Sequence, residues 1–259
     1  MSSLQAFFFK HAALFALVAT RIAGFVVTSP FPGQNVAASQ RVTLFCVLTW
    51  LASTFAPEAG LPATLDLSLV ARGVLELGCG LLIGLAFYTV FFIADVTGAT
   101  IGQATGLGSP SVLNPTLEAP DTVVGRIVTL CAMLVALAAG VHRVALAALL
   151  ESFRAVPVGQ VGALDGPMLG LVDLWVASFA SGVRLAVPVV VVTLLVQLSL
   201  AIVSRSAPSL QIFSVGFTLL LASGIAVMLV GLDDSTSGFA AHFGRLAGEI
   251  DHAVTALRP

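Results

Sequence analysis

Residues 174–203 read LWVASFASGVRLAVPVVVVTLLVQLSLAIV, an apolar stretch of 30 residues that contains a single charge, Arg184. As one straight α-helix the stretch would be about 45 Å long, whereas the hydrocarbon core of a bilayer is about 30 Å thick. Pro188 lies in its middle and predicts a kink there. The stretch is therefore predicted to form a long, kinked helix in a membrane, and it sets the class of the fold.

The composition of the whole chain supports a membrane environment. Of the 259 residues, 58% are hydrophobic and 9% are charged, whereas a typical soluble domain is about 25% charged. The 11 basic and 13 acidic residues give a net charge of −2, which provides no basic surface for a nucleic acid. We therefore expect an all-α polytopic protein in contact with the lipid bilayer and without a nucleic-acid partner.

Other apolar segments bring the predicted number of membrane segments to about six, arranged as kinked helical hairpins. The first segment is interpreted as a retained helix, because Lys10 follows three phenylalanines whereas a signal peptide begins with its cations. Proline and glycine predict loops at residues 29–33, 57–72 and 151–170. The six segments are 4–28, 42–56, 77–94, 127–150 with an interruption at His142 and Arg143, 174–203, and 206–232.

Glycines recur within the third segment and just after it. The spacing Gly78-x-Gly80-x-x-x-Gly84 does not match a dinucleotide-binding motif, and in a membrane helix such glycines predict close contact with a neighbouring helix. Gly98 and Gly102 continue this spacing and predict a second close contact.

The last 27 residues differ from the rest of the chain. Residues 233–259 combine charges with an apolar stripe at helical spacing, which predicts an amphipathic helix that lies against a partner or the membrane surface. No internal repeat or separable soluble domain is evident, so residues 1–259 are interpreted as one membrane-embedded domain. The stripe consists of Phe239, Phe243, Leu246, Ile250, Val254 and Leu257.

No motif in the sequence supports an enzyme. The chain has no G-x-S-x-G, H-E-x-x-H or phosphate-binding G-K-[ST] motif. Its three cysteines lie in apolar runs without a C-x-x-C pair, and its four histidines do not cluster. We therefore expect no catalytic site, no metal site and no cofactor.

The most unusual feature is a set of ionisable residues inside apolar sequence. Such groups are costly in lipid and normally face protein or water, so each is a candidate functional or assembly residue. A transporter would use acidic groups to couple protons, and Glu76 is the only acidic residue well flanked by predicted helix. We favour the alternative that Glu76 pairs with an arginine, such as Arg184, inside an assembly. The set is Arg21, Glu76, Arg126, Arg143, Asp173 and Arg184.

Several motifs in the C-terminal half resemble the FliR family of flagellar biosynthesis proteins, which is similar to the SctT component of injectisomes. They are GVRLAVP at 182–188, QLSL at 197–200 and SRSAPSLQIFSVGF at 204–217. Supporting matches extend over most of the chain and include Arg21, Glu76, Gly98, Gly102, the Asn114-Pro115 pair, Gly140-x-His142 and the segment 152–159.

The resemblance implies roles for two groups of residues. The segment from Gly106 to Asp121 corresponds to a plug that closes the conducting path, and its prolines are incompatible with a regular helix. The turn from Arg205 to Pro208 is expected to fix a hairpin and to dock a partner. The implied plug residues are Gly106, Leu107, Gly108, Pro110, Leu113, Asn114 and Pro115. The implied assembly residues are Arg184, Pro188, Arg205, Pro208, Phe213, Gly216 and Phe217.

The resemblance also implies a function and partners. A member of this family would be an inner-membrane subunit of the export gate at the basal body of the flagellum. It would help form a pore for unfolded secreted proteins with FliP-like and FliQ-like subunits, and with a FlhB-like subunit. The pair Gly216-Phe217 favours the flagellar system over the injectisome. A secondary transporter, which Pro188 and the glycine-interrupted segments would also suit, and a passive assembly scaffold remain alternatives.

Overall fold

The computed structural model of the protein describes residues 3–30, 37–55, 67–106, 123–162, 164–206 and 212–231. Within these ranges the chain forms helices and no strands. The predicted all-α class is therefore confirmed for the described residues. The helices are α1 (Ser3–Thr28), α2 (Ala38–Phe55), α3 (Leu67–Ala104), α4 (Val123–Ala138), α5 (Val141–Ala155), α6 (Asp165–Ser206) and α7 (Ile212–Val230).

Several helices extend beyond the apolar segments that predicted them. Helix α2 begins at Ala38, α3 begins inside the predicted loop 57–72, and α6 begins inside the predicted loop 151–170. For α6, Pro167 had indicated a loop, but it lies in the first helical turn, where its missing N–H has no partner to lose. Asp165 in the same turn stabilises the positive end of the helix dipole.

The helix breaks between α4 and α5 at Gly140, two residues before the point where His142 and Arg143 interrupt the apolar sequence. Gly140 has φ +73°, a left-handed conformation that costs glycine little and other residues more. The segments Gly125–Ala138 and Val141–Ala155 meet there at 64°. By contrast, α6 is not interrupted at Pro188.

Two helices in the described residues are long and apolar enough to cross a membrane, Leu69–Ala104 and Asp165–Arg205. The bent pair α4–α5 would add a third if it forms one span. Two shorter apolar helices are Ala12–Thr28 and Thr218–Val230. The prediction of about six segments is thus not confirmed as six spans, because several apolar segments are short or bent.

The described residues form two compact units. The first is drawn from Met1–Thr89 and Gly140–Trp175, and the second from Val90–Ala139 and Val176–Phe243. Helices α3 and α6 each contribute residues to both units.

In the first unit, α1 and α3 run in the same direction and cross at glycines. A Cβ atom at Gly24 would overlap the backbone of Leu77, and one at Gly80 would overlap the carbonyl oxygen of Arg21. One turn further along, a Cβ at Gly84 would overlap Thr28. The predicted close helix contact at Gly80 and Gly84 is confirmed, since only glycine lets the two backbones approach this closely.

Glycines also lie at close helix contacts in the second unit. A Cβ atom at Gly98 of α3 would lie 2.5 Å from the Cα of Gly125 in α4, so the second predicted close contact is also confirmed. On α6, Gly182 lies against Ile93 of α3, and the Thr97 hydroxyl donates a hydrogen bond to the Gly182 carbonyl at 3.0 Å. These contacts hold one face of α6 against α3.

We expect Gly80→Ala to destabilise the protein by about 1–3 kcal/mol, because the added methyl group would force α1 and α3 apart. The measurement is the midpoint of thermal unfolding in detergent. The matched control is Gly170→Ala in α6, where a Cβ would meet no atom within 4 Å. Equal midpoints for the two variants would contradict a rigid glycine crossing.

Candidate functional site

Arg21 of α1 and Glu76 of α3 form an ion pair inside the first unit. The Arg21 Nε donates to the Glu76 Oε2 at 2.5 Å, and neither side chain has any exposed area (0% for both). Arg21 lies one turn before Gly24, and Glu76 lies one turn before Gly80. The glycine crossing therefore brings the two charges within bonding distance.

The remaining donors of Arg21 bind the C-terminal end of α5. Nη1 donates to the Ser152 carbonyl at 3.0 Å and to the Val156 carbonyl at 3.2 Å, and Nη2 also donates to Val156 at 3.2 Å. The Ser152 carbonyl also accepts from the Val156 N–H at 2.9 Å, and carbonyl groups at the C-terminal end of a helix carry partial negative charge. Arg21 thus caps α5 from another helix.

Side chains of α5 complete the surroundings of the guanidinium. The Ser152 hydroxyl accepts from Nη1 at 3.3 Å and donates to the Leu149 carbonyl at 2.6 Å. The Phe153 ring lies under the guanidinium carbon, 4.5 Å from its centroid. A cation above an aromatic face is attracted by the ring quadrupole.

The second carboxylate oxygen of Glu76 is satisfied by the loop after α5. The Gly159 N–H donates to Oε1 at 2.7 Å. Gly159 has φ +81°, so a side chain at this position would strain the loop. We call Arg21, Glu76, Ser152, Phe153, Val156 and Gly159 the Arg21 cluster.

The charged side chains of the Arg21 cluster are buried, and their hydrogen-bonding groups are satisfied within the chain. Every nitrogen of the guanidinium donates a hydrogen bond, and both carboxylate oxygens accept one. A buried ion pair is stable only when its hydrogen-bonding groups are matched in this way. Among the described residues, no group of three or more His, Cys, Asp or Glu side chains is placed to hold a metal ion.

The cluster corrects one hypothesis drawn from the sequence. Glu76 does pair with an arginine, but the arginine is Arg21, and Arg184 is exposed on α6. The prediction named the right residue types inside apolar sequence and the wrong partner.

The structure covers the implied plug and assembly residues only in part. Gly106 lies in the turn two residues after α3, with φ +78°, whereas Leu107, Gly108, Pro110, Leu113, Asn114 and Pro115 lie outside the described residues. Arg205 is exposed near the end of α6 and Gly216 is buried. Pro208 and the tail from 233 lie outside the described residues, as do the side chains of Phe213 and Phe217.

Two sets of residues acquired roles that the sequence did not indicate. The segment 152–159 had been assigned to a predicted loop, although its residues were among the matches to the family. Asp95 directly follows the predicted segment 77–94, but α3 continues to Ala104, so Asp95 lies inside the helix and accepts from the Thr129 hydroxyl at 3.0 Å. The available signal was an acidic residue nine positions before the end of a glycine-rich helix.

The sequence of residues 12–246 matches the family described as bacterial export proteins, family 1. The chain is 28% identical over 226 residues to the flagellar biosynthetic protein FliR of Caulobacter vibrioides, covering 84% of this chain and 87% of that protein. It is 27% identical over 213 residues to FliR of Escherichia coli, covering 80% of each. It is 28% identical over 222 residues to FliR of Bacillus subtilis, covering 83% and 85%.

We expect Glu76→Gln to destabilise the protein by about 3–5 kcal/mol, because it leaves the Arg21 charge buried without a counter-charge. Arg154→Gln, which removes an exposed arginine of α5, is the control and should leave stability nearly unchanged. The measurement is thermal unfolding in detergent together with the yield of protein in the membrane.

The double variant Arg21→Met with Glu76→Leu tests the pairing itself. Replacing both charges by apolar groups should cost less than removing one of them. A double variant as unstable as the sum of the two single variants would show that the two charges act independently.

Proposed function

This chain belongs to the FliR family of bacterial export proteins, family 1, and from that membership we propose that it is a membrane subunit of the export gate of a flagellar type III secretion apparatus. In this role it helps to form the pore through which unfolded proteins leave the cell. The observation that carries the proposal is the family match over residues 12–246.

The relatives favour the flagellar system over an injectisome. The three compared above are all named as flagellar biosynthetic proteins, and each alignment covers at least four-fifths of both chains. The proposed location is accordingly the bacterial inner membrane, at the basal body of the flagellum.

The chain buries much less of helix α6 than of helix α3, which supports a role as one subunit among several. In its most apolar window, α3 is 61% buried inside the chain, whereas α6 is only 17% buried. The described residues leave most of that window of α6 for lipid or other proteins to cover. We propose FliP-like and FliQ-like subunits as the partners of this surface, with a FlhB-like subunit in the same complex.

The Arg21 cluster favours this function over a secondary transporter. A carboxylate that couples protons must exchange them with water or a substrate. Glu76 has no exposed area and holds Arg21 and Gly159 with its two oxygens. That arrangement suits a fixed structural ion pair.

The test of the function is copurification of the tagged chain from its native membrane in mild detergent. We expect two further kinds of small hydrophobic subunit to elute with it at constant ratio, and an unrelated tagged membrane protein to recover neither. Elution as a stable monomer or homo-oligomer without other subunits would contradict the proposal and favour a transporter.

The implied plug gives a second test. Deleting Ser109–Thr116 should raise ion leak through the assembled complex, because the segment corresponds by resemblance to the closure of the path. Conductance or dye entry is the measurement, and replacement of the same segment by Gly and Ser residues at equal length separates loss of closure from loss of loop length. An intact complex that is no leakier than the wild type would refute the plug role.

A further inference from the structure

Arg184 is exposed in the interior of α6. It lies ten residues, or about 15 Å, inside the apolar stretch 174–203. It makes no hydrogen bond or ion pair with any residue in the part of the chain that the structure describes. A cation placed in apolar membrane sequence normally faces a charged group, a polar group or water.

The helix cannot rotate Arg184 inward. The opposite face of α6 is held by Gly182 against Ile93 and by the Thr97 hydroxyl on the Gly182 carbonyl. Ala186 and Val189, on either side of Pro188, are also buried. Arg184 therefore stays on the uncovered face.

Along the described part of α6 the nearest acidic residue is Asp173, 11 residues before Arg184, and described residues of α7 include no acid. Residues 174–232 contain neither Asp nor Glu. On α3, which packs against α6 in the same unit, the acidic residue Asp95 accepts a hydrogen bond from the Thr129 hydroxyl. A counter-charge for Arg184 is thus absent from the described residues that pack against it.

The residues around Arg184 form a shallow apolar surface. Ala177 and Ala180 lie on the turns before it, and Val187 and Val191 lie on the turns after it, all of them exposed. Helical side chains lean toward the N-terminus, so the guanidinium extends over the two alanines. Small residues allow another helix to approach closely at that point.

We propose that this surface docks an apolar helix of a different membrane subunit whose Asp or Glu carboxylate pairs with Arg184. Charge complementarity identifies the occupant: an apolar face carrying one cation is matched by an apolar helix carrying one acid. The arginine guanidinium is well suited to this, because it binds a carboxylate through two parallel hydrogen bonds. The inference rests on the proposed function, since it names the chemistry of one of the subunits in that complex.

The experiment measures recovery of the partner subunits with tagged Arg184 variants. Arg184→Gln should lower recovery of one partner by about tenfold or more, and Arg184→Glu should lower it further. Arg184→Lys should retain most of it, because the charge remains. Arg154→Gln, which removes an exposed arginine in the last turn of α5, is the control and should recover the partners as the wild type does.

Charge reversal identifies the contact. Changing one acidic residue in an apolar helix of the partner to Arg should restore recovery with Arg184→Glu, and a cysteine at Ala180 should cross-link to that helix. Wild-type recovery with Arg184→Gln would overturn the inference, and so would a cross-link between two copies of this chain. Loss of recovery that no partner substitution restores, with binding to anionic lipid vesicles reduced instead, would assign Arg184 to a phospholipid headgroup.

The two proposals fail in different ways. If the wild-type chain recovers no other subunit, the proposed function is wrong. If the wild type recovers its partners and all Arg184 variants do the same, only the docking inference is wrong.

Discussion

The buried ion pair between Arg21 and Glu76 is the constraint on which the first unit depends. Either charge alone would be very costly in apolar surroundings, so each can be buried only because the other is there. The pair also joins segments that are far apart in sequence, since Arg21 bonds to a residue 55 positions away and to carbonyls 131 and 135 positions away. The pair therefore links α1, α3 and the end of α5 in the folded chain.

Close backbone approach makes the ion pair possible. Arg21 and Glu76 meet because α1 and α3 cross at Gly24 and Gly80, where a methyl group on either glycine would collide with the opposite backbone. In a membrane there is little hydrophobic force between helices, so dispersion contacts and interhelical hydrogen bonds must hold them. The close approach at the glycines allows dispersion contacts between the two helices. The ion pair between Arg21 and Glu76 favours the alignment in which the two charges meet.

The sequence predicted the helical class and the unusual charges, but not their geometry. Apolar length indicated where the described helices lie, because hydrophobicity is set locally, but it gave α4 and α5 as a single segment. It underestimated the length of α6, because Pro167 can begin a helix as well as prevent one. The partner of Glu76 was mistaken, since the pairing depends on a helix crossing that only the folded chain defines. The predicted roles of Gly108 and Pro115 came from the resemblance and lie outside the described residues.

Arg21 and Arg184 show why the same residue type in apolar sequence can have opposite meanings. Both interrupt an apolar helix, and the sequence gives no reason to treat them differently. Arg21 has all its donors satisfied within the chain, so it acts in folding. Arg184 lies on the uncovered face of α6, so a group that stabilises its charge must come from outside the described residues. The chain therefore pairs one such charge internally and leaves the other exposed in the described residues. That is the condition expected of a subunit that assembles with others in a membrane.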